Sequence, residues 1–312
     1  MTEAAPPSAS TARVQTGVSG GHRSALLTLI ACTVLWSTAG VATRHLDQAE
    51  GFEIAFWRSM FCAAFMLVTM LVLHRGQWWS RVNAAGLRGW ISGAMWAVMF
   101  ICFMLALTRA SVANVMVVLA SSPLLAALLG MLVLKERVPA RTWLAIAVAA
   151  IGLIWMVREG LSAGGLVGMA IACGVPLASA INLVLLRRTG GQVDFVPAVL
   201  LGAVISAAVT LPMALPLSAT PKDLAILAAL GVFQLGLPCM LMVSAAQRLA
   251  PHEVALLGLL EVVLGPIWTW LGAGETPTRA AIEGGALVLG ALAFNELLAR
   301  RTYFSTKARS IT

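Results

Sequence analysis

The chain has 312 residues, of which 60% are hydrophobic and 11% charged, with a mean hydropathy of +0.90 and a formal net charge of +8. So little polar material cannot cover a soluble globule of this length, which makes the chain a membrane protein. The basic residues flank apolar segments instead of forming a stripe, so they act as topology signals and no nucleic-acid partner is expected.

Residues 1–23, rich in Ala, Ser, Thr, Pro and Gly, read as a disordered cytoplasmic tail. From Ser24 to Thr43 the chain is apolar for the length of a bilayer crossing, too long for a removable signal peptide. Further spans are predicted over 52–73, 88–107, 111–134, 141–157, 165–186, 195–216, 223–247, 252–271 and 279–299, giving ten helices. Their connections are too short for a soluble domain or a phosphate-binding loop. Residues 301–312 form a basic tail. The five cysteines all fall inside apolar runs and read as small core residues, and no metal or cofactor is expected.

Five basic residues, Arg44, Arg109, Arg158, Lys222 and Arg279, lie on one side of this arrangement, and fifteen lie on the other with the two tails. Both termini are therefore predicted to be cytoplasmic, in a bacterial inner membrane. The remaining one, Arg58, falls inside the second span. A shift of 139 residues places Ala106 on Ala245, Arg109 on Arg248, Val115 on Val254 and Glu136 on Glu275. With one deletion, Pro139 falls on Pro277 and Gly152 on Gly290. Two halves of five spans follow, 24–160 and 161–300. Five is odd, so the second half enters the membrane from the opposite side, an inverted repeat of the transporter kind with a site expected between the halves near the midplane.

The fourth and ninth segments, LASSPLLAALLGMLVLKERVPA and LLEVVLGPIWTWLGAGETPT, are each followed by a glycine-bearing apolar helix. With FWRSM around Arg58 and LWSTAG around Trp36, they resemble the paired EamA-type repeats of the drug/metabolite transporter superfamily. The resemblance runs from Ser24 to Arg300. It implies ten helices, with 1–4 and 6–9 around a central cavity and 5 and 10 as support, and export of amino acids or similar small metabolites. The chain departs from the family's usual Leu-Glu-Pro: Glu261 is followed by Val262, and the proline comes at Pro266.

Prolines Pro123, Pro176, Pro212, Pro238 and Pro266 lie within helix interiors, where each removes a backbone donor, and all but Pro212 are assigned to gating or kinks of a cavity-lining bundle. Helices 5 and 10 instead carry small pairs, Ala145 with Ala149 and Ala286 with Gly290, that permit close approach. Trp36 and Trp96 lie too deep for the interfacial belt, and with Met99 and Phe100 they read either as an aromatic cavity wall or as packed core. Ser37, Ser121, Ser122, Ser179, Asn182 and Gln234 lie at matching depth. The hydroxyls can bond their own helix backbone, whereas the two amides need partners across the bundle.

Glu261 is the one carboxylate deep in a span, where facing lipid costs roughly 2.5–3.5 kcal/mol. It therefore marks an interior or a cavity, and it either titrates with transport, holds a substrate cation, or bonds its neighbours. Its register partners Gly258 and Gly265 form a small-residue face. Arg58, two turns into helix 2, is read as a snorkelling cation or a structural partner of Glu53 ahead of a substrate ligand. The function expected is a secondary transporter that exports amino acids, aromatic ones preferred, by alternating access, and for which a monomer suffices. Efflux of cationic aromatic drugs is the alternative, and a passive channel is the alternative from a different class. An intramembrane enzyme is disfavoured because all four histidines lie in the tail or near segment ends.

Overall fold

The computed structural model describes residues 9–74, 86–135, 138–157, 163–188, 196–246, 249 and 251–309. Ten helical rods follow one another, and no strand occurs among the described residues. They are α1 (Ala9–Ser37, then Ala39–Thr43), α2 (Gly51–His74), α3 (Gly86–Leu107), α4 (Val112–Ala120, then Ser122–Leu134) and α5 (Ala140–Val157). The second five are α6 (Ala163–Ala172, then Gly174–Arg188), α7 (Val196–Ala214), α8 (Pro221–Ala246), α9 (Pro251–Ala273) and α10 (Arg279–Arg309). Seven described segments are long and apolar enough to cross a bilayer, and Ala140–Trp155 and Leu257–Ala273 are shorter apolar helices. The protein is an all-α polytopic membrane protein. Val72, Leu132, Ile154 and Leu271 stay exposed because the bilayer, not water, is their solvent.

The packing repeats when each helix is exchanged for the one five places along. α3 packs on α7 as α8 does on α2, and α4 on α6 as α9 does on α1. α2 meets α7, α4 meets α9, and α5 meets α10. The largest cluster of buried apolar residues among those described includes Met104, Leu107, Val112, Val115 and Met116, fully buried under the predicted outer face.

Several expectations need correction. α1 starts at Ala9, ahead of Ser24, and α10 continues to Arg309, because a helix nucleated by its apolar core extends at little cost. Interruptions occur at Thr38, Ser121 and Cys173, while the helix runs on through Pro212 and Pro266. Pro123 and Pro176 sit just after breaks, in the first turn where a missing N–H costs nothing. Ala145 and Ala149 are buried in the α5–α10 seam, but Ala286 and Gly290 face outward. Gly152 lies there against the carbonyl of Gly284, with Val288 beside it. Cys32, Cys62 and Cys239 are buried as expected, whereas Cys173 is exposed at the break in α6.

Candidate functional site

A cavity of about 310 Å³ lies between the halves, at the low end of the roughly 300–1,000 Å³ usual for small-molecule sites. Its walls are mostly apolar: Trp36 of α1, Trp96, Met99, Phe100 and Phe103 of α3, and Met116 of α4. The polar groups on it are Arg58, Ser122, Ser179, Gln234 and Glu261, and Pro123 also lines it. Of the residues expected at the site from sequence, Ser37, Ser121, Asn182, Pro176, Pro238 and Pro266 do not line this cavity.

The three polar ones are engaged elsewhere. Ser37 Oγ donates to the carbonyl of Val34 and accepts from Trp268 Nε1 at 3.0 Å, which ties α1 to α9. Ser121 donates to the carbonyl of Val118, at the break in α4. Asn182 Oδ1 accepts from Ser92 Oγ at 2.7 Å, so its partner across the bundle is α3 rather than a ligand. Ser122 also bonds its own helix, at Leu119, although it faces the cavity.

Of the three roles open to Arg58, the two ranked first do not occur. It neither snorkels nor pairs with Glu53: its side chain is buried, and its Nε and Nη2 both donate to Gln234 Oε1, at 3.1 and 2.8 Å. Glu53 instead accepts from Trp57, Ser218 and Ala219. Gln234 Nε2 donates in turn to the carbonyl of Trp36. The guanidinium carbon stands 5.9 Å from the ring centre of Phe100 and 5.7 Å from that of Phe103. The available signal was a cation at depth, which in a membrane marks function by default.

The local backbone shapes this contact. Leu230–Gly236 is a π-helical stretch within α8, a wider turn that recurs at functional sites and here carries Gln234. A Cβ on Gly231 would stand 2.6 Å from the carbonyl oxygen of Arg58, so only glycine lets α8 approach α2 this closely. A second glycine, Gly202 of α7, abuts Trp96 Cβ in the same way.

Two buried donors of the cavity, Arg58 Nη1 and Trp96 Nε1, have no hydrogen-bond partner in the described chain. Such a group costs about 1–3 kcal/mol if left unsatisfied. Glu261 lines the same cavity, and its carboxylate makes neither a hydrogen bond nor a salt bridge among the described residues. Beside it Gly258 leaves open space, while Gly265 packs on Met116. No cluster of three or more metal-ligating side chains occurs among the described residues. A separate cleft of about 420 Å³ between α1 and α8, lined by Leu35, Phe233 and their neighbours, also reaches Gln234.

At the predicted outer end, carboxylates join the two halves. Glu275 accepts from Arg44 Nε at 2.7 Å and from the backbone N–H of Val112 at the start of α4. Arg44 also donates to the carbonyls of Leu107 and Ala110. Asp223, fully buried, forms a capping box with Thr220 and accepts from the N–H groups of Asp47, Gln48 and Ala49. Glu53 holds the α7–α8 connection through Ser218 and Ala219.

A ten-rod membrane bundle of exchangeable halves, with one mixed polar and aromatic cavity between them, is the architecture of a small-molecule carrier. The EamA-like transporter family matches residues 23–158 and 166–296, one match in each half, and the chain belongs to that family. It is 25% identical over 244 residues to the pseudopaline exporter CntI of Pseudomonas aeruginosa, covering 76% of this chain and 83% of that one. It is 27% identical over 129 residues to the uncharacterized transporter PA0485 of the same organism, covering 40% and 43%. A solved crystal structure shares the fold, with TM-score 0.62, 22% identity, and coverage of 90% of this chain and 99% of that one. The protein is thus a multi-pass transporter of small molecules, not an enzyme.

Proposed function

We propose that the protein exports amino acids or similar small zwitterionic metabolites, aromatic ones preferred, from the cytoplasm of a bacterial cell. The cavity carries this reading: rings of Trp36, Trp96, Phe100 and Phe103 and the thioethers of Met99 and Met116 suit a flat organic body. Glu261, Arg58 and Ser179 line the cavity for polar ends. The two halves, 24–160 and 161–300, rock about this site, with both termini cytoplasmic, and breaks at Thr38, Ser121 and Cys173 are the positions able to bend. That a relative is named an exporter supports the direction.

Efflux of cationic aromatic compounds is the second reading, favoured by Glu261 among aromatic rings. It is weakened by the Arg58 cation on the same wall. A passive channel fits poorly with two exchangeable halves tied together at the predicted outer end by Glu275, Asp223 and Glu53.

The test is uptake of labelled tryptophan and phenylalanine into proteoliposomes, with counterflow. Saturable, counterflow-accelerated movement of either is expected. Movement of neither removes the aromatic amino-acid assignment, and flux without saturation or counterflow makes the protein a channel.

A further inference from the structure

We propose that Arg58 and Glu261 read the two charges of a zwitterion, Arg58 Nη1 taking the substrate's carboxylate and Glu261 its ammonium. The inference rests on the export reading above and specifies the ligand by its charges rather than by its side chain.

Arg58 supplies an oriented donor rather than a loose positive charge. Its Nε and Nη2 are committed to one acceptor, Gln234 Oε1, and that amide cannot flip without losing its own bond to Trp36. Phe100 and Phe103, one turn apart on α3, present their rings to the guanidinium and add two cation–π contacts to that anchor. What is left is Nη1, buried and without an acceptor, in a residue that lines the cavity. Trp96 Nε1, on the same cavity, is a second donor in the same condition. Each of these donors calls for an acceptor from outside the described chain, and for a guanidinium nitrogen a carboxylate oxygen is the strongest.

Glu261 provides the opposite pole. No hydrogen bond or salt bridge joins it to Arg58 on the same cavity, so both groups remain available to a third partner. Gly258, one turn earlier on α9, leaves space next to it for an ammonium group. Along the helix axes Arg58 lies about 10 Å and Glu261 about 18 Å from the predicted outer ends of α2 and α9. The two poles come from opposite halves of the chain, and a ligand bearing both charges satisfies them together. A ligand with one charge leaves the other pole unpaired in a low-dielectric cavity. Gln234 acts as a positioning residue.

Thermal-shift titration of the purified, detergent-solubilised protein tests this without requiring transport. The probes are tryptophan, tryptophanamide and tryptamine, which lack the carboxylate, and indole-3-propionate, which lacks the ammonium. Leucine, leucinamide and 4-methylpentanoate repeat the series on an aliphatic body. At least tenfold tighter binding of a zwitterion than of either single-charge analogue is expected. In Arg58→Lys the preference over the amide should collapse toward unity while that over the deamino analogue persists, and Glu261→Gln should do the reverse. Each variant's ligand-free melting shows whether it has folded. If neither zwitterion outbinds its analogues in the wild-type protein, the inference is overturned without reference to any variant. Zwitterion binding with no vesicle transport would leave it standing and overturn the export reading instead.

Discussion

Arg58 of α2 and Gln234 of α8, 176 residues apart, are joined by a forked hydrogen bond in which two guanidinium nitrogens share one amide oxygen. The fork crosses from one half of the chain to the other and lies on the cavity wall. Gln234→Leu leaves two more buried donors of a charged group unpaired and is expected to cost about 3 kcal/mol or more. Gln234→Glu keeps an acceptor and should melt closer to wild type, while binding substrate more weakly because the cation is then paired. Thermal unfolding in detergent, followed by ligand titration, checks both halves of this statement.

Gly231→Ala brings a methyl against the Arg58 carbonyl and Phe61 Cβ, at 2.6 and 2.7 Å before any relaxation. The expected loss is about 1–3 kcal/mol, as for overpacking a tight seam. Gly290→Ala meets nothing within 4 Å and should be neutral or stabilising by up to about 1 kcal/mol through helix propensity. Equal melting shifts for the two would refute the close α2–α8 approach.

At the predicted outer end, Asp223→Asn removes one of the oxygens that hold Thr220 and residues 47–49, and should cost about 1–3 kcal/mol. Hydrogen exchange at Asp47, Gln48 and Ala49 is expected to quicken. Unchanged protection there would mean that the carboxylate does not hold this connection.

Glu275→Gln weakens both the Arg44 contact and the cap on α4. Both side chains are about a quarter exposed, so the effect on global stability should be small, about 1 kcal/mol. The amide of Val112 is the sensitive site, and faster exchange there at high salt in the wild-type protein should mimic the substitution.

Gly258→Val tests the cavity directly. The position has open space, so folding should survive, while the volume beside Glu261 shrinks. Tryptophan binding should fall more than leucine binding. An equal fall for both, or none, would place the aromatic body elsewhere.

Depth was readable along the chain. Trp36, Trp96, Met99, Phe100, Ser122, Ser179, Gln234 and Glu261 were singled out because they interrupt or punctuate apolar runs at mid-span, and all eight line one cavity. Direction around the helix axis was not readable in the same way. Ser37 and Ser121 stand one residue from cavity-lining Trp36 and Ser122, at the right depth and on the wrong face. Asn182 needed a partner across the bundle, as an amide at depth does, but nothing local says that the partner is Ser92.

The sequence by itself determined the class, the all-α membrane fold, the pairing of two halves and the presence of a deep carboxylate. These follow from composition, the length of apolar runs and a 139-residue internal shift, which are properties of a chain read one residue after another. Only the tertiary structure decided what Arg58 does, which glycines form the seams, and where the helices break. Those depend on the rotation of each rod and on partners more than a hundred residues away. A buried cation beside an amide from the other half is satisfied by geometry that no stretch of either helix encodes alone.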